Sequence, residues 1–333
     1  MHFDIYTKAS GTLSEKELGL TARMYLEATE KRNPKSKGIH MMTSLEIVRL
    51  INEEDLKVPL AVSKQARGIA RIVDVVTETL RAGGRVFYVG AGTSGRLGVL
   101  DAAEMPPTFG LPASKFQAII AGGWKALRRS IEHAEDDERA AWEELDRRGF
   151  SKRDVLIGLS ASGRTPFVLA VMLRARNTGA RVFGITCNPC SEMTRRANET
   201  VVLRVGPEVV NGSSRMKCGT AQKMVLNTIS TTSMIRLGRV WRGLMIDLQP
   251  KSMKLRRRAI RIVSEVAGVD YTSSRKALTK ANGDVKLAIV MVSSGAPIKR
   301  AKATLAKVRG DFEKAIFLAR NAVGENSDGR RER

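Results

Sequence analysis

Residues Gly90-Ala91-Gly92-Thr93-Ser94-Gly95-Arg96 set closely spaced glycines and two hydroxyls directly after a short apolar run, RVFYVG (85–90). Glycines there allow a tight turn, and hydroxyls with free N–H groups at a helix start make a cradle for phosphate. A second such stretch, Ser160-Ala161-Ser162-Gly163-Arg164-Thr165-Pro166, follows another apolar run and puts Pro166 where an early helical position accepts it. Two strand-end loops of this composition are far more specific than one, and a single phosphorylated ligand could touch both. The first also fits the G-x-G-x-x-G spacing of dinucleotide sites. That reading needs an acid at the end of the next strand to hold a ribose. Here FQAII (116–120) runs into Ala121-Gly122-Gly123-Trp124 without Asp or Glu, which argues against a nicotinamide cofactor.

A third stretch, Asn211-Gly212-Ser213-Ser214-Arg215-Met216-Lys217, opens a long helical segment. Ser213 or Ser214 can cap that helix. Arg215 and Lys217 in its first turn oppose the helix dipole, a placement that suits an anionic ligand. Proton-transfer chemistry needs acids as well. Asp101 and Glu104 fall on the helix that the first loop opens, and Pro106-Pro107 predicts its end just past Glu104. Glu132, Glu135, Asp136, Asp137 and Glu138, with His133 among them, are predicted on the helix after the second strand. Spacing does not choose among these.

The elements that must hold these groups follow from periodicity. Continuous apolar runs at 85–90, 116–120, 155–159, 182–186 and 201–205 alternate with helical patterns. This predicts a doubly wound α/β domain with a five-stranded parallel sheet over about 60–240, whose ligands sit at the carboxyl ends of the strands. Residues 1–59 read as an N-terminal arm and helices, with helical spacing over 43–52 and again over 58–81. The segment opening at Ser213 reads as one helix to about Leu237, and Pro250 breaks the pattern. Residues 250–323 read as a small helical unit, with helices near 252–267, 273–281, 284–293 and 297–321. The last stretch, GENSDGRRER (324–333), reads as a disordered tail.

The bulk numbers narrow the class. The chain has 333 residues, 43% of them hydrophobic, enough for a substantial core. No apolar run reaches the length of a membrane span, and MHFDIYTKAS has no basic region followed by an apolar stretch. A cytoplasmic enzyme without membrane contact is expected. The formal charge is +23, and residues 241–333 hold 21 Lys and Arg against 9 Asp and Glu. An anionic substrate benefits from such a field. Binding of nucleic acid is disfavoured, because the excess gathers outside the main domain and residues 1–60 show no helix-turn-helix pattern. Cys187, Cys190 and Cys218 include a CxxC spacing but no second pair for a structural zinc. They read as free thiols.

Three stretches, VGAGTSGRLGVLDAAEMPPTFG (89–110), SASGRTPFV (160–168) and GSSRMKCGTAQK (212–223), closely resemble the N-acetylmuramic acid 6-phosphate etherases of the sugar isomerase (SIS) superfamily. TEKRNPKS (29–36), LEIVRLINEEDLKVP (45–59) and KLAIVMV (286–292) extend the resemblance along nearly the whole chain. The glucokinase regulatory protein, a sugar-phosphate-responsive binder, shares the loops. The resemblance implies a lyase that releases D-lactate from the sugar by elimination and hydration, without metal or other cofactor. It also implies a homodimer whose active site lies near the subunit interface, with the N-terminal arm reaching across. The family's proton donor maps onto Glu104, which would protonate the departing oxygen and need a raised pKa. The second acid maps onto Glu135, as the base at C2. Thr93, Ser94, Ser160, Ser162, Thr165 and Ser214 would hold the phosphate, with Arg215 or Lys217 adding charge. His40, Cys190 and Cys218 depart from the family's pattern, as does the strong basicity.

Overall fold

The computed structural model describes residues 29–308 and 311–319. Helix α1 (Ser44–Asp55) starts from a capping box in which Thr43 and Glu46 each bond the other's backbone N–H. Helices α2 (Lys57–Ser63) and α3 (Ala66–Arg81) follow, so the periodic run over 58–81 is two helices broken at Lys64-Gln65. Ile69, Ile72, Val73 and Val76 form the buried stripe of α3. The sheet then alternates with helices: β1 (Val86–Gly90), α4 (Gly92–Phe109), β2 (Phe116–Ile120), α5 (Lys125–Arg128), α6 (Glu138–Arg147), β3 (Val155–Leu159), α7 (Pro166–Asn177), β4 (Arg181–Thr186), α8 (Glu192–Arg196), β5 (Glu199–Val202) and α9 (Lys217–Arg236).

All five strands are parallel, in the order β2-β1-β3-β4-β5. Strand β1 alternates its side chains between two cores. Val86 and Tyr88 face α2, α3, α4 and α9, while Phe87 and Val89 face α6 and α7. The strand order turns at β1, whose neighbours are β2 and β3. Gly90 pairs in register with Ile120 and Leu159, so the loops after these strands leave the same edge of the sheet.

Beyond α9, an antiparallel hairpin of β6 (Val240–Trp241) and β7 (Leu244–Met245) leads into a helical unit: α10 (Met253–Ala267), α11 (Tyr271–Lys280), α12 (Val285–Ser294), α13 (Ile298–Lys307) and α14 over 312–319. This unit has its own core around Ile260, Val263, Leu287 and Ile289. It docks on the end of α4, where Arg239 Nη1 donates to the Phe109 carbonyl at 2.7 Å and the Gln249 N–H to that of Pro107 at 3.4 Å. The helix read over 297–321 is interrupted after Lys307; its last residues and the tail 324–333 lie outside the described residues. Among the described residues no helix is long and apolar enough to cross a membrane.

Three local expectations are corrected. Helix α4 passes through Pro106 and Pro107 and ends at Gly110, where φ is +62° and the N–H donates to the Pro106 carbonyl. The two prolines sit in its last turn, so the N–H groups they lack interrupt only the end of the helical ladder. The acidic stretch after β2 is not one helix. Helix α5 is a single turn, His133 adopts φ +56°, Ala134–Asp136 form a 3₁₀ turn, and α6 starts at Glu138 with Asp137 as its cap. Finally, α9 starts at Lys217 rather than directly after Ser213, and no hydroxyl caps it.

Candidate active site

The first loop is built by close backbone approach. A Cβ on Gly90 would stand 2.6 Å from the Gly95 nitrogen, and one on Gly95 would stand 2.6 Å from the Gly90 oxygen. Only glycines let β1 turn into α4 this sharply. The turn leaves Thr93 and Ser94 half-buried in the first turn of α4, beside its free N–H groups. Ser94 Oγ donates to Gln222 Oε1 at 2.8 Å, tying the loop to α9.

The second loop is a cluster of hydroxyls. Ser160 Oγ lies 2.8 Å from Thr165 Oγ1 and 3.4 Å from Ser162 Oγ, and it accepts the Gly163 N–H at 3.0 Å. Gly163 has φ +69°, and a Cβ there would stand 2.4 Å from Ser191 Oγ. Thr186 Oγ1 holds the same turn by donating to the Ala161 carbonyl at 3.1 Å. Ser160 is buried, while Ser162 and Thr165 are half-buried and open toward the edge shared with the first loop.

The third stretch closes on the first: a Cβ on Gly219 would touch Thr93 Cγ2 at 3.4 Å, and the Gly219 N–H donates to the Ser214 carbonyl at 3.0 Å. Ser214 is half-buried and Arg215 exposed, with no carboxylate partner among the described residues. The segment before it is held by the start of the described chain. Asn33 Nδ2 donates to the Pro207 carbonyl, and Glu30 lies against Gly212.

Lys217 departs from its expected role. Its side chain and that of Glu54 are each 1% exposed, and Nζ donates to Glu54 Oε2 and to the Pro207 carbonyl, both at 2.6 Å. Burial alone would raise the Glu54 carboxyl, but hydrogen bonds from Lys217 and Lys57 and the Lys217 charge outweigh it and bring the pKa down to about 2. The N-terminus of α9 is filled too. Glu208 accepts the Lys217 N–H at 3.1 Å and the Cys218 N–H at 2.9 Å. Those first amides therefore meet a protein carboxylate, not a ligand.

The two acids are exposed. Glu104 is the thirteenth residue of α4, and Glu135 sits in the 3₁₀ turn ahead of α6. Because α6 runs back antiparallel to the strands, Glu135 lies at the carboxyl edge with the hydroxyl loops. Between these groups runs a buried network that spacing did not single out. Asp101 accepts from Tyr88 OH at 3.0 Å, Asn227 Nδ2 at 2.6 Å and Ser230 Oγ at 3.0 Å. Burial raises its carboxyl despite these three bonds. Gln222, Glu208 and Glu54 were unremarked because their partners, Ser94, the N–H groups opening α9 and Lys217, are distant in sequence or belong to the backbone. For Gln222 and Glu54 the local signal was a polar residue at a buried helical position.

Known proteins resemble the chain in these same parts. A family model described as the glucokinase regulatory protein N-terminal SIS domain matches residues 68–176, and one described as the SIS domain matches residues 147–231. A phosphoheptose isomerase structure from Francisella tularensis is 17% identical with a TM-score of 0.46, covering 58% of this chain and 100% of that one. An N-acetylmuramic acid 6-phosphate etherase of Geobacillus thermodenitrificans is 47% identical over 87% of this chain and 98% of its own. One from Actinobacillus pleuropneumoniae serotype 5b is 46% identical over 91% of this chain and 99% of its own. Identity at this level over almost the full length of both proteins shows that the chain belongs to the N-acetylmuramic acid 6-phosphate etherase family.

Proposed function

We propose that this chain cleaves the D-lactyl ether of N-acetylmuramic acid 6-phosphate, giving N-acetylglucosamine 6-phosphate and D-lactate. The observation that carries this is its near-full-length identity to relatives of that name. The three hydroxyl-bearing stretches and both acids support it. With the sugar open, the aldehyde at C1 acidifies the C2 proton. Glu135 takes that proton, the C3–oxygen bond breaks, and Glu104 protonates the departing lactate. Water then adds at C3 of the unsaturated aldehyde, giving a proton to Glu104, while Glu135 returns one to C2. Ser94, Thr93, Ser160, Ser162 and Thr165 hold the phosphate beside the N–H groups opening α4, with Ser214 and Arg215 alongside. Lys217 acts behind them, holding the third stretch against Glu54.

The helix geometry supports a homodimeric site. From Ser94 to Glu104, α4 rises roughly 15 Å, more than the span from the phosphate of a hexose 6-phosphate to its C3. Glu104 therefore serves a substrate held by the phosphate loops of a second copy, which would also supply the burial that a proton donor requires. The reaction acts on a phosphorylated sugar and the three cysteines are free, which suits the cytoplasm.

The test is D-lactate release from purified protein given the phosphorylated muramic sugar. Release that stops in Glu104→Gln at unchanged melting temperature supports the reading. Folded wild-type protein that releases none overturns it.

A further inference from the structure

A large cavity lies away from the carboxyl edge of the sheet. It lies between the helical C-terminal unit and the far end of α4, with a volume of about 1060 Å³. That is the size of a small-molecule site, typically roughly 300–1,000 Å³. Its floor is fixed where the two units meet. A Cβ on Gly110 would stand 2.5 Å from the Asp247 carbonyl, so only a glycine allows that backbone approach.

The charge of the lining is lopsided. Five cations, Arg239, Lys251, Arg256, Arg257 and Arg275, face two carboxylates, Asp247 and Asp284. Both acids are already engaged. Asp247 binds Lys286 at 2.8 Å and Arg239 at 3.4 Å, and Asp284 caps α12 through the Leu287 N–H at 2.9 Å. Lys251, Arg256, Arg257 and Arg275 have no acidic partner among the described residues. Helix periodicity brings them together. Arg256 and Arg257 stand one turn from Met253 on α10, and Arg275 one turn from Tyr271 on α11. Tyr271 is 54% exposed at the same wall. Guanidinium groups on one wall, with the neighbouring carboxylates already engaged and an exposed aromatic ring beside them, form a receptor for a planar or ring-bearing polyanion.

We propose that this cavity is a second ligand site, for a small phosphorylated molecule with two or more negative charges and a ring that lies against Tyr271. Its place in the seam between two packed units, at the volume of a small-molecule site, favours a small molecule over a nucleic-acid strand. The site stands apart from the phosphate loops, which leave the opposite edge of the sheet, and the inference does not depend on the etherase reading.

The experiment is calorimetric titration of the full-length protein with ADP and with inorganic pyrophosphate. It is run on wild type, on Arg256→Gln/Arg275→Gln and on Ser160→Ala. Expected are saturable binding of one molecule per chain, weakening of roughly tenfold or more in the arginine variant, and little change in Ser160→Ala. Tyr271→Ala should weaken ADP more than pyrophosphate. Lactate release by the arginine variant should match wild type, which also reports that it folds. Three results overturn the proposal. One is no saturable binding into the millimolar range. Another is binding lost in Ser160→Ala but kept in the arginine variant, which returns the ligand to the catalytic loops. The third is displacement of ADP by single-stranded DNA with an affinity that collapses between about 50 and 200 mM salt, the mark of a strand-binding groove.

Discussion

Lys217 offers the sharpest division between a contact that reads as catalytic and one that holds the fold. Lys217→Met keeps the length of the side chain and removes its charge. It leaves the Glu54 carboxylate, 1% exposed, with Lys57 at 2.5 Å and the Asn33 side chain, and leaves the Pro207 carbonyl without the lysine. Breaking a buried pair by removing one partner typically costs about 3–5 kcal/mol, because the remaining charge is uncompensated. Glu54 has one escape, which is to take up a proton. From the ordinary value of 4.5, that costs about 3 kcal/mol at pH 7 and less than about 1 kcal/mol at pH 5. The deficit of Lys217→Met in urea denaturation should therefore be near the low end of that range at pH 7 and shrink by up to about 2.7 kcal/mol by pH 5. Adding Glu54→Gln should recover much of the loss, since the pair couples. The opposite pattern refutes the assignment: unchanged stability with a raised KM for the phosphorylated sugar would make Lys217 a substrate contact.

Glu54 itself predicts an acid limb. Its pKa is depressed to about 2 from 4.5, so its contribution, on the order of 3 kcal/mol, is complete above about pH 4.5 and is lost as pH falls through about 2; Glu54→Gln should flatten that limb in stability measured against pH. Gly163→Ala forces a side chain into a left-handed position against Ser191 and should cost roughly 1–3 kcal/mol while raising KM, read by thermal melting and steady-state kinetics. Asp101→Ala leaves the Tyr88, Asn227 and Ser230 donors without their acceptor and should lower stability by at least about 2 kcal/mol in urea melts. Mixing inactive Glu104→Gln with inactive Glu135→Gln should restore lactate release, because a mixed dimer with acids acting across the interface has one intact site; mixtures that stay inactive despite confirmed subunit exchange would place both acids in one copy.

The sheet was legible because a parallel strand buried on both faces must be apolar along its length, and each of β1 to β5 begins within two residues of its apolar run. The hydroxyl loops were legible because each opens at a strand end where glycine is needed. What failed was local continuity. The run over 58–81 keeps helical periodicity across a break at Lys64-Gln65, since both halves cover the same core. The acids after β2 resembled a helix, but α5 stops after one turn, and Gly122, Gly123 and His133 all adopt positive φ in that excursion. Prolines expected to end α4 did not, because they fall where the helix ends in any case. Lys217 misled for a different reason. A cation in the first turn of a helix points to an anion, and the anions were Glu54 and Glu208, one of them more than 160 residues away.

The buried charges and the exposed acids thus divide the work. Glu54, Glu208 and Asp101 are each spent on holding elements together: the α1 helix to the third stretch, the start of α9 to the loop before it, and α4 to β1 and α9. Their hydrogen-bonding capacity is consumed within one copy, so none can move a proton to a substrate without loosening the fold. Glu104 and Glu135 hold no such contact among the described residues. An acid that must give up and regain a proton in each turnover has to be free of structural bonds. The roughly 15 Å rise of α4 from Ser94 to Glu104 carries the acid away from its own phosphate loop. On the proposed reading, that rise is what a site shared between two copies requires: Glu104 serves the phosphate loops of the other copy.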